Sequence, residues 1–79
     1  MWIRCSSRRV NLDDVTEYVL QGLQIKFIKS TGEDRTLSFD TAQEAQEVIN
    51  LLDTYFSEEA PFLDLTSFFI GKRPNEFLT

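Results

Sequence analysis

The stretch Leu23-Gln24-Ile25-Lys26-Phe27-Ile28-Lys29-Ser30-Thr31-Gly32-Glu33-Asp34-Arg35-Thr36-Leu37-Ser38-Phe39-Asp40-Thr41-Ala42-Gln43-Glu44 decides the fold class, because the period of its apolar residues changes within it. From Leu23 to Lys29 the residues Leu23, Ile25 and Phe27 recur at every second position, with Gln24 and Lys26 on the opposite face, which is the pattern of a half-buried strand. Ser30 to Asp34 are turn formers. Arg35 to Phe39 then returns with Leu37 and Phe39 matching the first apolar face, so a hairpin with a loop of about five residues is expected. At Thr41-Ala42-Gln43-Glu44 the chemistry becomes that of a capping box, in which a Thr hydroxyl accepts from a backbone N–H and Glu reaches back to the cap. A helix is therefore predicted from about Ala42 to Phe56. Ala45, Val48, Ile49, Leu52, Tyr55 and Phe56 form its apolar stripe, and Glu44, Glu47, Asn50, Asp53 and Thr54 occupy the rest.

Towards the N-terminus, Ile3 and Cys5 alternate with Trp2 and Arg4, and after the turn residues Ser6-Ser7-Arg8 the apolar Val10 and Leu12 alternate with Arg9 and Asn11, so a first hairpin is expected. Asn11 to Asp14 supplies a second turn, since short Asn and Asp side chains bond the local backbone. Val15 to Leu20 is a further strand whose buried face the pattern leaves open, and Gly22 ends it. On the C-terminal side, Pro61 forbids simple continuation of the helix. Beyond it Phe62, Leu63, Leu65, Phe68, Phe69, Ile70, Phe77 and Leu78 are too apolar for a solvated linker. The expected architecture is α+β: an antiparallel sheet of four to five strands, covered on one face by a single C-terminal helix and followed by an apolar tail. Residues 1–59 form the sheet and helix domain. Residues 60–79 form the tail, packed on that domain or on a partner subunit.

Seventy-nine residues, 42% of them hydrophobic and 27% charged, suit one small compact domain. The net charge of −5 argues against a protein that coats duplex nucleic acid by bulk charge. That charge is uneven: residues 1 to 39 carry six basic and five acidic side chains, and residues 40 to 79 carry two basic and eight acidic ones. The single cysteine, Cys5, can form no intramolecular disulfide and fits a reducing compartment, so a cytoplasmic location is expected. The start lacks the pattern of a signal peptide, and no apolar run approaches the roughly 20 residues that cross a bilayer, so no membrane association is expected.

Catalytic chemistry is poorly supplied. With no histidine in the chain, the commonest general base near neutral pH is missing. Cys5, on an apolar strand face beside Ile3, reads as a buried structural thiol. Asp13, Asp14 and Glu17 lack the spacing of a calcium loop, and Gly22, Gly32 and Gly71 are isolated, so no phosphate-cradling loop is present. No catalytic residue, cofactor or metal ligand is assigned, and no enzymatic activity is expected.

Two segments have interaction chemistry. If Ile3, Val10, Ile25 and Leu37 face the helix, alternation sends Trp2, Arg4, Arg9 and Lys26 to the other face of the sheet, with Ile28 beside them. Cations and an aromatic on one open sheet can track a single-stranded nucleic acid and stack its bases, although the net charge opposes this. In the order of its elements, several strands followed by one helix, the chain is similar to the Whirly and transcriptional-coactivator families, and that resemblance implies single-stranded DNA binding. In the tail, Leu65-Thr66-Ser67-Phe68-Phe69 followed by Lys72-Arg73 resembles the sliding-clamp-binding box of replication and repair proteins. The resemblance implies that Leu65, Phe68 and Phe69 plug a hydrophobic pocket while Lys72 and Arg73 steer the encounter; Phe62 stands where that family usually has glutamine. The leading expectation is a non-catalytic interaction module that self-associates as a homodimer, because a bare sheet face and an apolar tail both need cover.

Overall fold

The computed structural model describes residues Met1–Thr79, and buried side chains alternate with more exposed ones along Trp2–Cys5 and from Gln24 to Phe27. The first hairpin joins β1 (Trp2–Cys5) to β2 (Arg8–Asn11), with Ile3 opposite Val10 and Arg4 opposite Arg9. The second unit is a meander of β3 (Val15–Gln21), β4 (Gln24–Lys29) and β5 (Arg35–Ser38). Helix α1 (Ala42–Ser57) follows, then β6 (Phe62–Asp64), a 3-10 turn over Thr66–Phe69, and a single helical turn, α2 (Pro74–Phe77).

The six strands form two sheets of three, in the orders β2-β1-β6 and β3-β4-β5, instead of one sheet of four or five. The expectation failed on the tail: β6 lies parallel to β1, with Trp2, Ile3 and Arg4 in register with Phe62, Leu63 and Asp64. Main-chain bonds from Trp2 N–H to the Pro61 carbonyl (2.9 Å) and from Leu65 N–H to the Arg4 carbonyl (2.8 Å) extend this ladder at both ends. Between the sheets, Asn11 Oδ1 accepts from Asp13 N–H at 2.9 Å and the Leu12 carbonyl from Val15 N–H at 3.1 Å, so this turn redirects the chain and β3 starts a new sheet.

The expected second hairpin is present, with Ile25 opposite Leu37 and its loop over Ser30 to Asp34. Leu23 is displaced from its expected place on the buried face. It occupies a two-residue turn with Gly22, whose φ of 63° suits glycine, and is left exposed. The face of β3 was illegible because a bulge at Thr16 breaks its alternation, so that Val15, Tyr18 and Leu20 all pack on the core.

Helix α1 starts as expected: Thr41 Oγ1 accepts from Glu44 N–H at 3.1 Å, and the Glu44 carboxylate accepts from the Thr41 hydroxyl at 3.4 Å. Ala45, Val48 and Leu52 are buried. Tyr18 of β3 stacks on Phe56 at a centroid distance of 5.1 Å and donates its hydroxyl to Asp53 at 2.7 Å. The helix stops well before Pro61. Glu59 N–H donates to the Phe56 carbonyl (3.1 Å) and Ala60 N–H to the Tyr55 carbonyl (2.9 Å), the paired bonds of a Schellman ending. Glu59 is held there at a φ of 54°, a left-handed conformation that favours glycine.

Sixteen buried residues make one apolar cluster, and five of them, Leu63, Leu65, Phe69, Phe77 and Leu78, belong to the tail, which is therefore core. Phe69 lies between Phe39 (5.4 Å) and Phe77 (3.9 Å), stacked on both. The far end of the tail reaches the other sheet, where Leu78 bridges Leu37 and the main chains of Thr36 and Thr79 exchange two hydrogen bonds of 2.8 and 3.0 Å. No helix is long and apolar enough to cross a membrane.

Phe69→Ala is expected to cost about 3–5 kcal/mol, by the usual penalty for emptying a packed aromatic site, and chemical denaturation will show it as a large fall in midpoint. Glu59→Gly is expected to raise the midpoint by about 1 kcal/mol of stability, since it relieves the left-handed carboxylate residue and removes a negative charge from the carbonyl end of α1.

Candidate functional site

The strands of the β2-β1-β6 sheet are buried on one side by Ile3, Cys5, Val10 and Leu63, so alternation directs their other side chains outward. The register arranges them in two rows across β2, β1 and β6. One row is Asn11, Trp2 and Phe62; the next is Arg9, Arg4 and Asp64. Trp2 and Phe62 are both 45% exposed, which makes them two large apolar side chains adjacent in register and open to solvent. The other exposed large apolar residues, Leu23 and Ile70, lie in turns elsewhere.

The charged row is partly self-satisfied. Arg4 Nη1 lies 3.6 Å from Asp64 Oδ2, and Arg4 Nε donates to the Ser6 carbonyl at 3.4 Å. Arg9 has no carboxylate within ion-pairing distance. Asp64 accepts from Thr66 N–H at 2.9 Å, which starts the 3-10 turn. Its carboxyl is held below the usual aspartate range by hydrogen bonds from the Thr66 side chain and backbone and, secondarily, by the charges of Arg4 and Arg9. It is therefore an anion fixed in place at neutral pH.

Of the four residues expected on a common outer face, Trp2, Arg4 and Arg9 are brought together and Lys26 is not. Lys26 lies on the outward side of the other sheet, paired with Asp34 at 3.8 Å. The separation follows from the split into two sheets. Phe62, Asp64 and Asn11 join the face instead. A signal for the first two was present, since Phe62-Leu63-Asp64-Leu65 alternates with a period of two, but it is too short to stand out in an apolar tail.

The residues matching the clamp-binding box are separated by burial. Leu65 and Phe69 are enclosed in the chain's own core, while Phe68 is half-buried and lines a shallow groove of about 390 Å³ with Glu47, Asn50, Leu51 and Thr54. Serving as a plug would require β6 and the 3-10 turn to detach from β1. Lys72 is engaged with Asp40 in an ion pair.

Cys5 lies under the outward face, fully buried, with its thiol pushed up to about 12 by burial and then by the nearby Asp64 charge. It is a neutral packing group at physiological pH. No group of three or more His, Cys, Asp or Glu side chains is gathered where a metal ion could sit. Comparisons with protein-family models, with characterised proteins and with solved structures find no match to this chain.

Two chemical outcomes test this geometry. Raising a thiol from 9.0 to about 12 leaves about a thousandth of the ordinary thiolate at a given pH, so iodoacetamide should label Cys5 at least about a thousandfold more slowly in the native protein than in denaturant. For Asp64 the folded carboxyl is the stronger acid, so its stabilisation is full at neutral pH and is lost as the pH falls through the aspartate range. Unfolding curves of the parent and Asp64→Asn should accordingly differ most near neutrality and converge in acid.

Proposed function

We propose that this chain is a small non-catalytic interaction module that engages its partner through the outward face of the β2-β1-β6 sheet. The observation that carries the reading is the in-register pair Trp2 and Phe62, half-exposed above a fully packed layer. Aromatic and arginine side chains dominate binding energy where partners exclude water from them, and here both kinds occupy one small area. The rigid backing lowers the cost of ordering the face on contact. The chain offers little for catalysis: it has no histidine, and its one thiol is buried and neutral.

The same rows of aromatics and arginines also favour single-stranded nucleic acid as a partner, since rings stack on bases and guanidinium groups contact phosphates. Trp2, the only tryptophan, reports on either occupant. Its emission is to be followed in two titrations, one raising the chain concentration and one adding oligothymidylate at low salt. A spectral change in either titration, abolished by Phe62→Ser in a folded variant, is the expected result. An emission unchanged in both would overturn the assignment of this face as a binding surface.

A further inference from the structure

Resting on that reading of the face, we infer that its occupant is a second copy of this chain, packed about a two-fold axis that runs along β1, so that Arg9 of each copy meets Asp64 of the other. The charges on this face are complementary to those of a second copy. Across the charged row the sign changes from positive at Arg9 on β2, through Arg4 on the central strand, to negative at Asp64 on β6. A two-fold axis lying in the interface along the central strand superposes the β2 side of one copy on the β6 side of the other. Arg9, which makes no direct ion pair within its own chain, thereby gains a carboxylate in contact, twice per dimer.

The same operation sets the aromatic row against itself. Trp2 meets its symmetry mate on the axis, and Phe62 of each copy covers the ground beside Asn11 of the other. Both exposed rings are sheltered by one movement, as an isologous contact requires of a self-complementary patch. The two Arg4 side chains also meet near the axis, where each is neutralised by its own Asp64, 3.6 Å away. A phosphate backbone fits this surface less well. Asp64 places a fixed negative charge on it, and from Asp40 to Gly71 the chain carries seven carboxylates and no cation.

The molecule measures 29 × 24 × 24 Å, so one of its faces offers less than the about 800 Å² per partner that stable complexes bury. The dimer is accordingly expected to dissociate in the micromolar range, exchanging quickly.

The test is sedimentation equilibrium of the full chain from about 5 to about 500 µM at low salt, a range set by that limited area. A monomer–dimer equilibrium is expected for the parent. Arg9→Asp and Asp64→Arg should each weaken it at least about tenfold by opposing like charges across the interface. The double variant R9D/D64R restores opposite charges and should recover most of the parent affinity. Because Asp64 also starts the 3-10 turn, the exposed substitutions Arg9→Asp and Phe62→Ser carry the test if Asp64→Arg unfolds the chain. Single reversals without effect would overturn the Arg9–Asp64 contact. A monomer throughout would overturn the second copy as occupant; if oligothymidylate still perturbs Trp2 in that monomer, the face keeps its binding role with a nucleic acid as occupant, and if it does not, the binding reading fails as well.

Discussion

The parallel pairing of β6 with β1 is the constraint on which the rest of the molecule depends. It completes the first sheet with a strand from far along the chain, buries Leu63 beside Ile3, and hands the chain on to the turn that inserts Phe69 between Phe39 and Phe77. From there Leu78 and Thr79 close on β5 of the other sheet. One segment of about twenty residues thus bonds through its main chain to both sheets, and its side chains fill the space between. For a chain this short that arrangement matters, because small domains bury a smaller share of their surface and each large apolar group weighs heavily on a narrow net stability.

The parts of the fold legible in the sequence were those fixed by local chemistry. The strand at Ile25 and Phe27, its return at Leu37 and the cap at Thr41 depend on neighbours within a few positions, and they formed where the pattern placed them. The apolar composition of the tail signals its need for shelter. Its partner is not legible there, because alternation tells which side of a strand is buried and says nothing about which strand lies alongside it. The division into two sheets was hidden for the same reason. The end of α1 was governed by main-chain bonds around Glu59, a residue whose type gives little hint of left-handed geometry.

The candidate face shows the same mixture. Trp2, Arg4 and Arg9 share a surface because they belong to one hairpin whose register is local. A single sheet would place Lys26 with them, and the bend after Leu12 puts it on the other sheet. Phe62 and Asp64 arrive through a contact between residues sixty positions apart, which no short-range pattern contains. Burial of the opposite side of β1 holds these outward groups in a fixed array, so the chemistry of the surface follows from the packing beneath it.

The turn between β1 and β2 extends this dependence to the order in which the molecule is built. Ser6 takes a φ of 60°, and its N–H is satisfied by the hydroxyl of Thr66, sixty residues later. The hairpin precedes by about sixty residues the segment that completes it, so a left-handed serine and an open strand edge wait for Thr66 and β6. Contacts of such long range slow the search for the native state and leave intermediates open to wrong pairing. Until that segment arrives the edge of β1 is open to other strands, so the pairing that closes the sheet also removes a site of mispairing.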